Sequence, residues 1–65
     1  MGLNLSKVKI AMARECLSVN DLVEKSGLGR ATVSKIVNGK AEPTTKSIGL
    51  LAKALNDDVT EIITE

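Results

Sequence analysis

Apolar residues recur with the spacing of a helix in five stretches of this chain, and polar or glycine-containing segments separate the stretches. The first stretch predicts a helix over about Leu5–Arg14, with Asn4 as its N-cap. The side chains predicted to face inward from this helix are Leu5, Val8, Ala11 and Met12. Because strand signals are weak and short, the pattern predicts an all-α fold of five helices in one domain, residues 1–65.

Two short helices are predicted in the middle of the chain, one on each side of a glycine turn. Ser18 is suited to cap the first of them, and Asp21 adds a negative charge to its first turn. Gly27 is suited to end this helix, because glycine adopts the left-handed conformation at low cost. The apolar period restarts at Val33, within a helix predicted over about Arg30–Val37. Two helices joined by so short a turn are typical of a helix-turn-helix.

The second helix of this pair has two faces when its residues are placed about 100° apart on a helical wheel. The apolar face consists of Val33, Ile36 and Val37. The other face consists of Arg30, Ala31, Ser34 and Lys35, with Thr32 at its flank. Arginine can donate two hydrogen bonds to guanine, alanine can contact the methyl group of thymine, and serine or lysine can reach base edges. Taken alone, this face also fits a solvated surface helix; the glycine turn and the charge distribution favour a helix that enters the DNA major groove.

Two further helices are predicted in the last third of the chain. Gly39 is predicted to end the third helix, and a loop containing the single proline follows. Thr44 is then predicted to cap the fourth helix, whose apolar stripe is formed by Ile48, Leu51, Ala52 and Leu55. Asp58, with Glu61 three residues later, predicts a capping box at the start of a fifth helix over Val59–Ile63.

The composition argues against several kinds of site. The chain has 65 residues, no histidine, no aromatic residue and one cysteine, Cys16. One cysteine excludes an intrachain disulfide and a multi-cysteine zinc site, and without histidine no metal or cofactor is expected. No apolar run approaches the length of a membrane span and the N-terminus lacks a signal-peptide pattern, so a cytoplasmic location and no membrane partner are expected.

Basic and acidic residues are unevenly distributed, although the net charge is only +1. Seven basic and three acidic residues lie between Lys7 and Lys40, whereas two basic and five acidic residues lie between Ala41 and Glu65. A basic front and an acidic back orient a small protein in the field of nucleic-acid phosphates. Chance segregation in so short a chain is the simpler alternative.

With these elements in place, the chain resembles the Cro/C1-type helix-turn-helix family, also called the XRE or lambda-repressor-like family. The resemblance covers about Val8 to Ile63 and is most specific in LSVNDLVEKSGL, from Leu17, and in RATVSKIVNGK-x2-P, which ends at Pro43. It implies that the third helix enters the major groove and contacts bases through Arg30, Ala31, Ser34 and Lys35. It also implies DNA phosphate contacts from Ser18, Thr32, Asn38 and Lys40.

Three departures from the family pattern affect this interface. Gly29 stands where a serine or threonine usually caps the third helix, which predicts a weaker cap. Val19 stands where many members have a glutamine that braces the backbone or the third helix. Phage repressors of the family often pair an arginine and a glutamate at the positions of Met12 and Val37. Because both positions are apolar here, we expect these two side chains to touch and to hold the first helix against the third.

The residues and the resemblance together predict a sequence-specific double-stranded DNA-binding transcriptional regulator of the bacterial or phage repressor type, acting as a homodimer on a two-fold operator. The alternative is an antitoxin or co-regulator module that acts mainly through a protein partner, such as a toxin or another effector. Val59 and Leu50 are candidates for the dimer surface. An enzyme is the weakest possibility, since Cys16 has no histidine to activate it and no catalytic residue is expected.

Overall fold

The computed structural model describes residues 2–64, which form five helices. They are α1 (Leu5–Arg14), α2 (Val19–Ser26), α3 (Arg30–Val37), α4 (Thr45–Ala54) and α5 (Val59–Ile62). α2 packs against α3 and α4, whereas α5 packs against α1 and α4. The predicted all-α architecture is confirmed, and α1 and α3 have the predicted bounds.

The apolar faces of the five helices meet in one core. Every residue predicted for the apolar faces of α3 and α4 is buried, and none of them is more than 6% exposed. Leu22 of α2 and Ile62 of α5 are fully buried between these helices. In α1 the predicted inward residues are buried except Leu5, which is half-buried. Because aromatic side chains are missing from the sequence, aliphatic side chains and Met12 fill this core.

Four of these helices begin with a side-chain cap, as predicted, formed by Asn4, Ser18, Thr44 and Asp58. Each of these side chains accepts a hydrogen bond from a backbone amide in the first turn of its helix, which satisfies a donor that has no partner within the helix. Gly27 and Gly39 follow α2 and α3 with φ values of 76° and 73°. Both glycines therefore adopt the predicted left-handed conformation.

The end of α5 differs from the prediction. The helix ends at Ile62 rather than Ile63, because Ile63 is extended and forms an antiparallel β-bridge with Leu3. Backbone bonds flank the bridge on both sides, from Asn4 N to Ile62 O (2.7 Å) and from Thr64 N to the carbonyl of residue 2 (2.9 Å). These long-range bonds satisfy backbone groups that a further helical turn would have paired locally.

The predicted capping box at the start of α5 is wrong in its second half. Asp58 does cap the helix, since its carboxylate accepts a bond from the backbone amide of Thr60 (3.1 Å). The backbone amide of Asp58, which the box assigns to Glu61, donates instead to Oδ1 of Asp57 (3.2 Å). The other carboxylate oxygen of Asp57 accepts from Arg14 Nη2 (2.9 Å), so this residue also joins α1 to the turn before α5.

Candidate nucleic-acid interface

The turn between α2 and α3 is braced by a buried serine. Ser26 is only 5% exposed; its hydroxyl donates to Val23 O (3.4 Å) and accepts from Leu28 N (3.2 Å). The amide of Gly27 also donates to Val23 O (3.1 Å). These bonds tie the turn to the end of α2 and fix the direction in which α3 leaves it. The sequence pattern identified the glycine but not the serine, whose role becomes visible only once it is buried.

α3 presents the predicted polar face to solvent. Its three apolar residues are buried against α2 and the core, which fixes the rotation of the helix about its axis. The predicted base-contacting residues lie together on the opposite side: Arg30, Ala31 and Lys35 are exposed and Ser34 is half-buried. Thr32 is exposed at the flank. The structure therefore brings these residues together on one accessible surface, and their contact with bases stays a prediction.

The end of α3 is locked by a pair of backbone hydrogen bonds. Lys40 N donates to Lys35 O (2.7 Å) and Gly39 N donates to Ile36 O (3.1 Å), the pattern of a Schellman motif. This motif fixes the backbone of Asn38 and Lys40 directly after the end of α3, and both residues are exposed. The side chain of Asn38 lies beside Ser34, to which it donates. Phosphate contacts from Asn38 and Lys40 stay a prediction.

Ser18 is placed differently from the other predicted phosphate contacts. Its backbone amide and its hydroxyl both donate to Oδ2 of Asp21, over 2.9 Å and 3.0 Å, and the amide of Asp21 donates back to Ser18 Oγ (3.2 Å). This is a complete capping box. Ser18 can therefore donate to a phosphate only if these bonds to a negatively charged carboxylate are given up.

The same capping box predicts a pH dependence of stability. The hydrogen bonds from the backbone amide and hydroxyl of Ser18 hold the pKa of Asp21 below its ordinary value. Its stabilising effect is therefore fully present above the unfolded-state pKa of about 4 and is lost as the pH falls through the lower folded-state value. We expect the melting temperature of Asp21→Asn to lie below that of the wild type at pH 7, and the difference to shrink as the pH falls below the ordinary aspartate pKa of about 4. A difference that does not change with pH would contradict the assignment.

The start of α3 lacks a side-chain cap, as the sequence predicts. Gly29 is the N-cap with extended backbone and makes no side-chain hydrogen bond, and a Cβ at this position would lie 3.8 Å from Thr32 Oγ1. A small polar side chain therefore fits here. We expect Gly29→Ser to stabilise the fold by a few tenths of a kcal/mol in urea unfolding, because serine can accept from the first-turn amides.

Gly29→Asp is the matched charged variant. It is expected to stabilise the fold comparably through capping, and yet to weaken DNA binding about tenfold at low salt, because a carboxylate beside Arg30 repels phosphate. Unchanged DNA affinity in Gly29→Asp would contradict an interface at this end of α3.

Two large apolar side chains outside the core, Ile10 and Leu50, are accessible to solvent. Ile10 of α1 is 62% exposed, although the sequence pattern did not single it out. Leu50 is half-buried and lies off the stripe of α4, while Val59 is half-buried against the core. Ile10 and Leu50 are therefore the better candidates for contact with another chain.

The apolar departures from the family pattern all join the core. Met12 and Val37 are buried in the same cluster, with 9% and 6% exposure, and Val19 packs against that cluster from the outside. Val19 thus contributes packing at the position where many members have a glutamine. Direct contact between Met12 and Val37 stays a prediction.

Metal sites and membrane-spanning helices are missing from the part of the chain that the structure describes. Residues 2–64 contain no group of three or more histidine, cysteine or acidic residues arranged to hold a metal ion. None of the helices formed by these residues is long and apolar enough to cross a membrane.

Comparison with known proteins agrees with these elements. A family model described as Helix-turn-helix, of the Cro/C1 or XRE type, matches residues 8–62. No curated protein matches the chain. The fold is similar to the crystal structure of the restriction-modification controller protein C.AhdI from Aeromonas hydrophila, with 26% identity and a TM-score of 0.80 over 88% of this chain and 86% of that chain. The chain therefore belongs to the Cro/C1-type helix-turn-helix family of DNA-binding transcription regulators.

Proposed function

We propose that this chain is a sequence-specific double-stranded DNA-binding regulator of the bacterial or phage repressor type, with α3 bound in the major groove. The supporting observation is the orientation of α3: Arg30 and Lys35 are exposed on one side, while Val33 and Ile36 are buried on the other. Burial of Arg30 and Lys35 would have argued against the proposal. C.AhdI is named a controller protein, and the similarity supports a regulatory role for this chain.

Base contacts are proposed for the outward face of α3. Arg30 is the first residue of the helix, where family docking places base-contacting side chains, and its guanidinium can donate to O6 and N7 of guanine. Ala31 is small enough to let the helix approach and can contact a thymine methyl group. Ser34 and Lys35 lie one turn further along and reach the next base pairs.

Phosphate contacts are proposed at both edges of this face. Asn38 and Lys40 are held next to the end of α3 by the Schellman motif, and Thr32 lies at the flank. Contacts of this kind supply affinity for any DNA sequence and make binding fall as salt rises. Ser18 is the least favoured member of the predicted set, because Asp21 occupies both of its donors.

A homodimer on a two-fold operator is proposed because a single helix of eight residues can contact only a few base pairs. Two copies would place their α3 helices about 34 Å apart, one turn of DNA. The exposed side chain of Ile10 and the half-exposed Leu50 offer apolar surface for such a contact. The same side chains would serve the alternative function, an antitoxin or co-regulator that binds a different protein.

Selection of bound sequences from random duplex DNA, with the purified chain at about 50 mM and about 200 mM salt, tests the proposal. We expect one enriched sequence with two-fold symmetry and half-sites about 10 base pairs apart, bound more weakly at the higher salt concentration. Sedimentation of the complex should give two protein chains per duplex. Absence of enrichment, together with weak binding to all duplexes, would contradict a sequence-specific regulator and favour the protein-binding alternative.

A further inference from the structure

A hydrogen bond links two residues of the interface to which the sequence assigns separate roles. Asn38, the C-cap of α3, donates from its side-chain Nδ2 to Oγ of Ser34 over 3.4 Å. The two residues are four positions apart and therefore lie on the same side of the helix. Ser34 was predicted to contact a base and Asn38 a phosphate. The structure joins the two groups before any DNA is bound.

This bond determines which hydrogen-bonding positions of the Ser34 hydroxyl remain free. A serine hydroxyl has one donor and two acceptor positions, and the bond from Asn38 uses one acceptor position. Within residues 2–64 the O–H of Ser34 donates to no other group. Its proton is therefore available, on the face proposed to meet DNA, for an acceptor outside the protein.

The side chain of Asn38 has a second hydrogen to donate. Its amide nitrogen carries two N–H groups, of which one is directed at Ser34. The backbone of Asn38 is fixed, because its own amide donates to Ser34 O (3.0 Å) and the Schellman motif follows immediately. The remaining N–H is on an exposed side chain, for which a phosphate contact is proposed.

We propose that Asn38 positions Ser34, so that the hydroxyl of Ser34 donates to an acceptor atom in the major groove. In the major groove, the atoms that can accept a hydrogen bond from this hydroxyl are N7 of a purine, O6 of guanine and O4 of thymine. Asn38, Ser34 and the base then form a head-to-tail chain of hydrogen bonds, in which the bond that Ser34 accepts from Asn38 polarises the bond that Ser34 donates to the base. The second N–H of Asn38 donates to phosphate. Asn38 becomes a specificity-determining residue that acts through Ser34. This inference rests on the proposed DNA-binding function.

The test compares Asn38→Ala, Ser34→Ala and the double variant on the enriched operator and on operators changed at each base pair. Ser34→Ala is expected to lose preference at one base pair by about 3- to 10-fold, the effect of one hydrogen bond. Asn38→Ala should weaken binding to all duplexes and reduce preference at that same base pair. In the Ser34→Ala background, Asn38→Ala should have no further effect on preference.

Two control variants separate this role from a simple phosphate contact. Lys40→Ala is expected to weaken binding to all duplexes and to leave the preference at that base pair unchanged. Ser34→Thr keeps the hydroxyl and should keep the dependence on Asn38. If Asn38→Ala behaves like Lys40→Ala, the proposal is overturned and Asn38 contacts phosphate alone.

A measurement on the free protein distinguishes failure of this inference from failure of the proposed function. In nuclear magnetic resonance spectra, the side-chain amide signals of Asn38 should shift in Ser34→Ala. The signals of Asn20, an exposed residue of α2, should not shift and serve as the control. Unshifted Asn38 signals overturn the inference whatever the protein binds. Shifted signals without any enriched DNA sequence overturn the DNA-binding proposal and, with it, the assigned role of the pair.

Discussion

Met12→Arg is expected to lower the free energy of unfolding by about 3 kcal/mol, which is a large part of the total for a domain of 65 residues. Met12 is 9% exposed and lies in the same buried cluster as Val37, so the new guanidinium would lose water without gaining an opposite charge. The measurement is urea unfolding followed by circular dichroism. Met12→Leu keeps the apolar volume and is the control, with an expected cost below about 1.5 kcal/mol.

The double variant, Met12→Arg with Val37→Glu, tests whether the two side chains touch. If they do, arginine and glutamate form an ion pair and recover about 1–3 kcal/mol relative to the sum of the two single variants. Such recovery of stability would support the idea that Met12 and Val37 replace, by apolar packing, the arginine–glutamate pair of phage repressors. Strict additivity of the two single effects would mean that the two side chains are apart and that no contact between Met12 and Val37 holds α1 against α3.

The sequence predicted the features of this fold that depend on residues within one or two helical turns. The caps at Asn4, Ser18 and Thr44 bond to amides no more than three residues away, so their chemistry can be inferred from neighbouring letters. The left-handed glycines at the ends of α2 and α3 follow from the same local rule. The apolar stripes were also predicted, because the helical period is visible in neighbouring residues of the sequence. The residues of these stripes then form the core.

Features that join distant parts of the chain escaped prediction. Ile63 leaves α5 because Leu3 pairs with it, and nothing near Ile63 in the sequence indicates that the N-terminal segment lies there. Asp57 bonds to Arg14, 43 residues earlier. This bond holds the carboxylate of Asp57 where its other oxygen accepts from the backbone amide of Asp58, in place of the predicted Glu61. Local pattern and long-range packing compete at the ends of elements, where few helical bonds hold the chain.

In the candidate interface, too, the local features were predicted and the contacts between side chains were not. The helical wheel placed Arg30 and Lys35 on the outer side of α3, and the structure leaves both exposed. The wheel could not show that Ser34 and Asn38 are joined, because hydrogen bonding between side chains depends on rotamers that the sequence does not fix. For Ser18, the capping role was predicted, but its competition with a phosphate role became apparent only from the distances to Asp21.

Arg30→Ala is expected to reduce discrimination at one base pair by about 1–3 kcal/mol, because it removes a side chain that can donate two hydrogen bonds to guanine. Arg30 is exposed at the first position of α3, so its loss leaves the core intact and the melting temperature nearly unchanged. Lys40→Ala is the matched control: it also removes one positive charge, but from a residue proposed to contact phosphate. It should weaken binding to every duplex and reduce the slope of log affinity against log salt by about 1.

The comparison of the two variants separates base recognition from charge. If Arg30→Ala and Lys40→Ala lower affinity for the enriched operator and for random DNA by the same factor, then Arg30 acts only through its charge, and the outer face of α3 does not determine sequence preference. If only Arg30→Ala brings the two affinities together, α3 lies in the major groove with its first turn against the bases. Because the buried Val33 and Ile36 fix the rotation of α3, the base pair affected by Arg30 should then lie within one helical turn of the base pair affected by Ser34.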